Sequence, residues 1–339
     1  MSQPGRTTQR LSTTPEDIAR AARILRDGGT VAFPTETVYG LGANALDANA
    51  ISGIFTAKER PHWDPLIVHV SNRAMLDQVA IVPPHVEPLI EAFWPGPLTL
   101  LLPRTPQIPD AVTAGRPLVG IRMPAHPVAL ALIEAAGVPI AAPSANRFGR
   151  TSPTTAAHVL QDLDHRIDAI LDGGATSVGV ESTVLDPGQS PRLIYRPGAI
   201  TAAMLEPITG PVTVFQPPQH STSEPQSLPS PGVGIRHYAP RARLILVASE
   251  AELNSRLAEL KTSKDRIGVM LPQGWTITTP AETFPWNSFD DNTALAHTLF
   301  AGLRELDSRN VSLILCPEPS LEGLGLAIRD RLKKAAKSN

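Results

Sequence analysis

The sequence predicts a two-domain α/β protein, with a large twisted mixed sheet in the N-terminal domain and a smaller parallel, Rossmann-like α/β domain at the C-terminus. Three observations carry this. The chain has 339 residues, more than one ordinary hydrophobic core encloses and enough for two. Residues 216–231, QPPQHSTSEPQSLPSP, combine proline, serine and glutamine with almost no aliphatic content, so they cannot bury enough apolar surface to fold alone and read as an extended linker. On both sides of it, short apolar runs of strand length alternate with segments of helical periodicity. The boundaries that follow are 1–212 for the first domain, 213–241 for the linker region and 242–339 for the second domain.

Thr14-Pro15-Glu16-Asp17 opens the first helix with a capping hydroxyl, a proline at the first helical position and early acids. Ile18, Ala21, Ala22 and Leu25 recur at helical spacing, and Gly28-Gly29 ends it. Thr30 to Phe33 reads as a strand stopped by Pro34. Further strands are predicted at Leu66–Val70, Leu98–Leu102, Leu118–Arg122, Val138–Ala142, Ala169–Leu171, Ser182–Leu185 and Arg192–Tyr195. After the linker the alternation is cleaner. Strands Arg243–Val247, Arg266–Leu271 and Val311–Cys316 are separated by a helix opening on the capping box Ser249-Glu250-Ala251-Glu252 and by a helix over Asn292–Asp307. A last helix covers Leu321–Lys334. The second domain lacks a G-x-G-x-x-G turn and so is not read as a dinucleotide site.

Composition narrows the function. Hydrophobic residues make up 42% and charged residues 18%, which argues against global disorder, and the net charge of −2 supplies no field to draw the chain to nucleic acid or an anionic membrane. With one cysteine, Cys316, an intramolecular disulfide and a cysteine-rich metal site are excluded, and its place at the end of a strand reads as structural. Residues 1–10 are polar, and the most apolar stretch, Val128–Ala142, is interrupted by Glu134, Gly137 and Pro139 and is too short to span a bilayer. A soluble, cytoplasmic protein with no membrane partner is expected.

Four segments set polar groups beside strands, where α/β sheets hold their ligands. The first is Pro34-Thr35-Glu36-Thr37-Val38-Tyr39-Gly40-Leu41-Gly42, hydroxyls, an acid and two glycines with no P-loop pattern; a simple turn explains it as well. In the second, Lys58-Glu59-Arg60-Pro61, two basic residues could clamp a polyphosphate or merely face solvent, while His69 in the following strand reads first as a core histidine. In the third, an apolar strand ends in Ser144-Ala145-Asn146-Arg147, and Ser152-Pro153 resembles a helix start whose free N–H groups suit phosphate, or ordinary capping. The fourth couples Glu181-Ser182-Thr183 with Arg196-Pro197-Gly198.

Taken together and in order, PTETVYGLG (34–42), KERPHWDPLIVHV (58–70), FWPGPLTL (93–100), VGIRMP (119–124), PSAN (143–146), ESTVLD (181–186) and RPGAI (196–200) closely resemble the YrdC family in its long two-domain form, the threonylcarbamoyl-AMP synthases. Arg236-His237-Tyr238-Ala239-Pro240 resembles that family's RHYAP element, although Val-Gly-Ile precedes it here in place of Met-Lys-Tyr. The second domain matches by position and α/β pattern alone.

The resemblance implies a nucleotidyltransferase that joins L-threonine, bicarbonate and ATP into threonylcarbamoyl-AMP, releasing pyrophosphate, as the first step of N6-threonylcarbamoyladenosine formation at position 37 of ANN-decoding tRNAs. It implies ATP contacts by Lys58, Arg60, Ser144, Asn146, Ser152, Arg196 and Tyr238, and threonine contacts by Thr35, Tyr39, His69, Arg122 and Ser182. It also implies that the linker end carrying Tyr238 folds over the nucleotide as a lid. Positioning and charge stabilisation suffice for such a step, so no catalytic nucleophile is expected, and no protein metal site; Mg2+ would arrive with ATP. The expected partners are the downstream tRNA threonylcarbamoyltransferase machinery and a weak tRNA or double-stranded RNA contact. Two alternatives stand beside this: a double-stranded RNA-binding or ribosome-associated module, and an O-carbamoyltransferase with a YrdC-like domain. The single cysteine excludes the zinc fingers that accompany the latter.

Overall fold

The structure, a computed structural model, describes residues 7–216, 230 and 238–337. These form two compact units. The first holds the described chain up to Phe148, Pro153–Ser177 and the described residues from Glu181 to 230; the second holds Gly149–Ser152, Val178–Val180 and the described residues from Tyr238.

In the first unit, strand β1 (Gln9–Leu11) precedes helix α1 (Pro15–Arg26). The Thr14 hydroxyl accepts the Asp17 N–H, Pro15 sits at the first helical position, and Ala21, Ala22 and Leu25 are buried. Gly28, at φ 84°, turns the chain out of the helix as its sequence predicts. Next come β2 (Val31–Phe33), β3 (Gly40–Asn44), α2 (Ala48–Lys58), β4 (Ile67–His69), α3 (Arg73–Val79), α4 (Glu87–Phe93) and β5 (Leu98–Pro103). The unit continues through α5 (Asp110–Thr113), β6 (Leu118–Arg122), α6 (Pro127–Ala136), β7 (Ile140–Ala141), α7 (Ala156–Leu163) and β8 (Ala169–Leu171). It closes with β9 (Thr183–Asp186), β10 (Arg192–Arg196), α8 (Ala202–Thr209) and β11 (Val212–Val214).

The strands make one mixed 11-stranded sheet in the order β1-β8-β2-β3-β7-β4-β6-β5-β9-β10-β11. Central strands are apolar on both faces because both are covered: Leu98, Leu100, Leu101 and Leu102 of β5 are all buried. Register decides where polar residues gather. His69 lies beside Arg122, Leu100 opposite Ile121, Leu98 beside Thr183 and Val184 opposite Arg196. The last residues of β4, β6 and β10 and the first of β5 and β9 therefore share one end of five consecutive strands. Two of the five offer their beginnings there, so in this mixed sheet the polar end is not made of carboxyl ends alone.

Every strand expected from sequence in this unit is present, trimmed by one to three residues in several cases. β1, β3 and β11 were not expected. Gly40-Leu41-Gly42-Ala43-Asn44 reads as a loop, yet it pairs antiparallel with β2. Its glycines leave room for an aromatic ring: a Cβ on Gly42 would stand 2.8 Å from Cε1 of Phe33 and 2.7 Å from Cγ2 of Ile140.

In the second unit, β12 (Arg243–Val247), α9 (Glu250–Glu259), β13 (Ile267–Pro272), β14 (Glu282–Trp286), α10 (Asn292–Ser308), β15 (Leu313–Pro317) and α11 (Leu324–Ala336) build a wholly parallel four-stranded sheet, ordered β12-β15-β13-β14. The Ser249 hydroxyl accepts the Glu252 N–H, and Leu295, Leu299, Leu303 and Leu306 form the buried stripe of α10, as the sequence predicts. The strand β14 was not expected, and ETFPW carries a proline. It survives as an edge strand, where a missing N–H costs no ladder bond. Cys316 is buried, and burial pushes its thiol up out of the reactive range.

Replacing Gly42 by Ala overpacks the contact with Phe33 and Ile140. The expected cost is about 1–3 kcal/mol, read as a lower urea midpoint at unchanged slope.

Candidate active site

Arg122, the last residue of β6, is a buried and heavily bonded side chain at the polar end of the sheet. Its Nη1 donates to Oγ1 of Thr37 at 2.9 Å, Nε donates to the Gly96 carbonyl at 3.2 Å, and Nη2 stands 2.6 Å from Oε1 of Glu36. The Thr35 hydroxyl donates to the Val38 carbonyl at 2.7 Å and lies 2.8 Å from that of Thr37. With its own hydrogen given to Val38, Thr35 accepts, so the polarity runs from Arg122 through Thr37 and Thr35 to the backbone. The loop between β2 and β3 is thereby shaped around the guanidinium. Burial opposes ionisation of Glu36, yet the Arg122 charge prevails and holds its carboxyl below the usual range. His69, buried beside Arg122 in register, has its pKa brought down to about 3, first by burial and then by the Arg122 charge.

Further along the same end, Arg196 closes β10. Its Nε donates to the Ser182 carbonyl and its Nη2 to the Ser182 hydroxyl, both at 3.0 Å. That hydroxyl also lies 2.8 Å from Oγ1 of Thr99, at the start of β5. The close approach of the two segments requires Gly198, where a Cβ would meet the Thr183 nitrogen at 2.4 Å.

A third group surrounds Lys58, the last residue of α2. It is buried, and its ammonium donates to the carbonyls of Ser144 and Asn146. Burial drives its pKa well down, with the neighbouring Arg60 acting the same way. Two of its three donors thus organise the loop after β7. Backbone bonds from Leu41 to Pro143, Ala145 to Tyr39 and Phe148 to Lys58 tie that loop to the first and second motifs. Glu59, at φ 55°, turns the chain so that Arg60 runs back under the motif. There Arg60 pairs with Asp64 at 2.9 Å, donates to the Pro65 carbonyl at 2.8 Å, and stands 6.0 Å from the centre of the Phe148 ring.

The site residues expected from sequence fall into distinct settings. Thr35, His69 and Arg122 gather around one buried charge. Ser182 and Arg196 bond directly, and Lys58 holds Ser144 and Asn146. Arg60 is bound into its own segment. Tyr39 is fully buried; its hydroxyl donates to the Gly174 carbonyl at 2.7 Å and accepts the Gly173 N–H at 3.2 Å. Burial raises its pKa. Ser152 and Tyr238 belong to the second unit. The Ser152 carbonyl accepts from Nε of Arg304 at 3.3 Å. Tyr238, at φ 68°, stacks with Phe300, 5.9 Å away, and has the Arg331 guanidinium 5.2 Å from its ring centre. Residues 217–229 and 231–237 of the expected lid lie outside the described residues.

Glu36, Thr37, Thr99 and Asp64 are not among the site residues expected from sequence. Glu36 and Thr37 lie inside the first motif, and only the fold shows that they face a buried arginine. Among the described residues, no group of three or more His, Cys, Asp or Glu side chains stands together to hold a metal ion. Among them, too, no helix is long and apolar enough to cross a membrane.

The histidine gives a pH dependence. Unfolded chains protonate it below about its usual 6.5, whereas the folded protein resists until about 3. Its contribution to stability is therefore full above 6.5 and is lost as pH falls toward 3. At about pH 5 the loss is about 2 kcal/mol. Urea unfolding at about pH 7 and pH 5 should show this loss, and His69→Gln should flatten it.

Known proteins resemble the chain throughout. Residues 23–198 match the Sua5/YciO/YrdC family pattern, described as "Telomere recombination", and residues 200–337 match the pattern described as "Threonylcarbamoyl-AMP synthase, C-terminal domain". A threonylcarbamoyl-AMP synthase of Pyrococcus abyssi is 42% identical over 93% of this chain and 93% of its own length. One of Bacillus subtilis is 43% identical over 97% of this chain and 95% of its own. The crystal structure of P. abyssi Sua5 complexed with L-threonine superposes with a TM-score of 0.90 at 40% identity, covering 98% of each chain. The chain belongs to the Sua5/YciO/YrdC family, in the two-domain form that carries the threonylcarbamoyl-AMP synthase C-terminal domain.

Proposed function

We propose that this protein is a threonylcarbamoyl-AMP synthase: a nucleotidyltransferase that converts L-threonine, bicarbonate and ATP into threonylcarbamoyl-AMP and pyrophosphate. The observation that carries the reading is the near full-length likeness to a structure solved with L-threonine, joined to a buried arginine at the polar end of this sheet. In this reading Arg122 receives the carboxylate of threonine, with Thr35, His69 and Ser182 around the rest of the molecule. Lys58, Ser144, Asn146 and Arg196 serve the nucleotide phosphates. Tyr39 acts by holding the loop at Gly173 and Gly174.

The chemistry asks for placement more than for a nucleophile. The threonine amine takes up carbon from bicarbonate, forming an N–C bond and releasing water. A carbamate oxygen then forms a bond to the α-phosphorus as the bond to the β-phosphate oxygen breaks and pyrophosphate leaves. Fixed cations stabilise the charge that develops on the leaving group. Magnesium, held by ATP's own phosphate oxygens, would supply further neutralisation when bound. We place the protein in the cytoplasm, supplying an activated threonylcarbamoyl group to the machinery that modifies tRNA. A double-stranded RNA-binding role gains no observation in its favour.

Pyrophosphate release should require threonine and bicarbonate together; equal release without threonine would mark a plain nucleotide hydrolase. Lys58→Ala should cost on the order of 2–4 kcal/mol of transition-state stabilisation, with threonine affinity little changed. Arg60→Ala is a different experiment, because it removes an ion-pair partner of the buried Asp64 carboxylate. Removing one partner of such a pair destabilises by about 3–5 kcal/mol, so a lowered melting temperature should accompany any loss of rate.

A further inference from the structure

Glu36 is 6% exposed, and neither of its carboxylate oxygens has a hydrogen-bond partner of proper geometry. Nη2 of Arg122, its ion-pair partner, and Nδ1 of the neighbouring His69 are buried and likewise make no hydrogen bond. Buried polar atoms are nearly always bonded, because leaving one unmet costs about 1–3 kcal/mol. Oε1 of Glu36 and Nη2 of Arg122 meet each other at 2.6 Å as an ion pair. Oε2 of Glu36 and Nδ1 of His69 are therefore the atoms left without a partner, and two such buried atoms beside one ion pair mark a place for a polar guest. The donor on Arg122 calls for an anion and the oxygens of Glu36 call for a cation. A molecule carrying both on adjacent atoms is an α-amino acid in its zwitterionic form.

We propose that Glu36 pairs with the α-ammonium group of the amino-acid substrate and accepts the proton that this amine must lose before it attacks carbon. The inference rests on the proposed function. The step balances: the ammonium N–H bond breaks and its proton moves to a Glu36 oxygen, leaving a neutral amine with a free electron pair. That pair forms the N–C bond with bicarbonate, from which one oxygen departs as water together with the second amine proton. The carbamate remains, and Glu36 returns its proton to solvent.

The surroundings suit both halves of this role. Facing Glu36 are Arg122, His69 and His126, with the backbone N–H groups of Ala125 and of Glu36 itself turned toward its oxygens. His126 accepts the Val128 N–H on Nδ1, and burial lowers its pKa, as it does that of His69. Arg122 is thus the cation beside Glu36, which stays ionised and ready for an ammonium. When a substrate carboxylate arrives at Arg122, it offsets the charge that keeps Glu36 deprotonated. The proton affinity of Glu36 then rises in the complex, where the proton has to be taken.

The test compares the full-length protein with Glu36→Gln and Glu36→Asp, each checked for folding by its melting temperature. Calorimetry measures L-threonine against 3-hydroxybutanoate, the same skeleton without the amine. The parental protein should favour threonine, and Glu36→Gln should shrink that preference by about tenfold or more while still binding 3-hydroxybutanoate, since it keeps Arg122 and loses a charge partner for ammonium. In the threonine-dependent pyrophosphate assay, Glu36→Gln should lose about a hundredfold near pH 7 and recover about tenfold for each added pH unit as solution supplies the neutral amine. Glu36→Asp should keep the parental pH profile. An unchanged preference for threonine, or a loss that stays constant with pH, overturns the proposal. Should the parental protein show no threonine-dependent release, the proposed function fails, while the calorimetric comparison still judges Glu36 as the reader of the ammonium group.

Discussion

A guanidinium buried at the end of a central strand must be neutralised and bonded where it stands, since an unpaired buried charge costs several kcal/mol. Arg122 meets this demand from two separate stretches of chain: Glu36 and Thr37 in the loop after β2, and the Gly96 carbonyl ahead of β5. The arrangement of the polar end of the sheet follows from it. The β2–β3 loop curls so that two threonine hydroxyls pass the charge on to a backbone carbonyl. The same positive charge holds Glu36 ionised and adds to the burial that keeps His69 neutral, so one residue bears on the protonation of its neighbours as well as on their positions.

Lys58 imposes the same discipline elsewhere in the unit. A helix that ends on a buried ammonium needs acceptors within reach, and the carbonyls of Ser144 and Asn146 supply them. The loop after β7 is therefore anchored by the cation it surrounds. Arg60, one residue past the left-handed turn at Glu59, is fastened to Asp64 and Pro65 in turn. Loops carrying polar side chains tend to be mobile. Here buried cations tie them to the sheet, which is the preorganisation that the proposed charge-stabilising chemistry requires.

Where α1, the helices of the second unit and most of the central strands were concerned, the chain was legible from its own pattern. Thr14-Pro15 with Ala21, Ala22 and Leu25 describes α1 without reference to anything distant, and the leucines of α10 do the same. Edge and glycine-rich strands were not legible. Gly40 and Gly42 carry no strand signal, and β3 exists because Phe33 and Ile140 fill the space that their missing side chains leave. β14 is a strand in spite of Pro285 because it sits at an edge, a position that no local sequence records.

The candidate site divides along the same line. By itself the sequence determined which residue types were present, in which order and close to which strands, and through a family resemblance it named Arg122, His69, Lys58 and their companions. Tertiary structure alone decided that Glu36 faces Arg122 across 86 residues of chain, that Thr99 joins Ser182 and Arg196, and that Tyr39 turns its hydroxyl to Gly173 and Gly174. Helical periodicity and capping are governed by neighbours a few residues apart, and so they can be read along the chain. The pairing of buried charges depends on which strands lie side by side and in what register, and those distances come into being only when the sheet has formed.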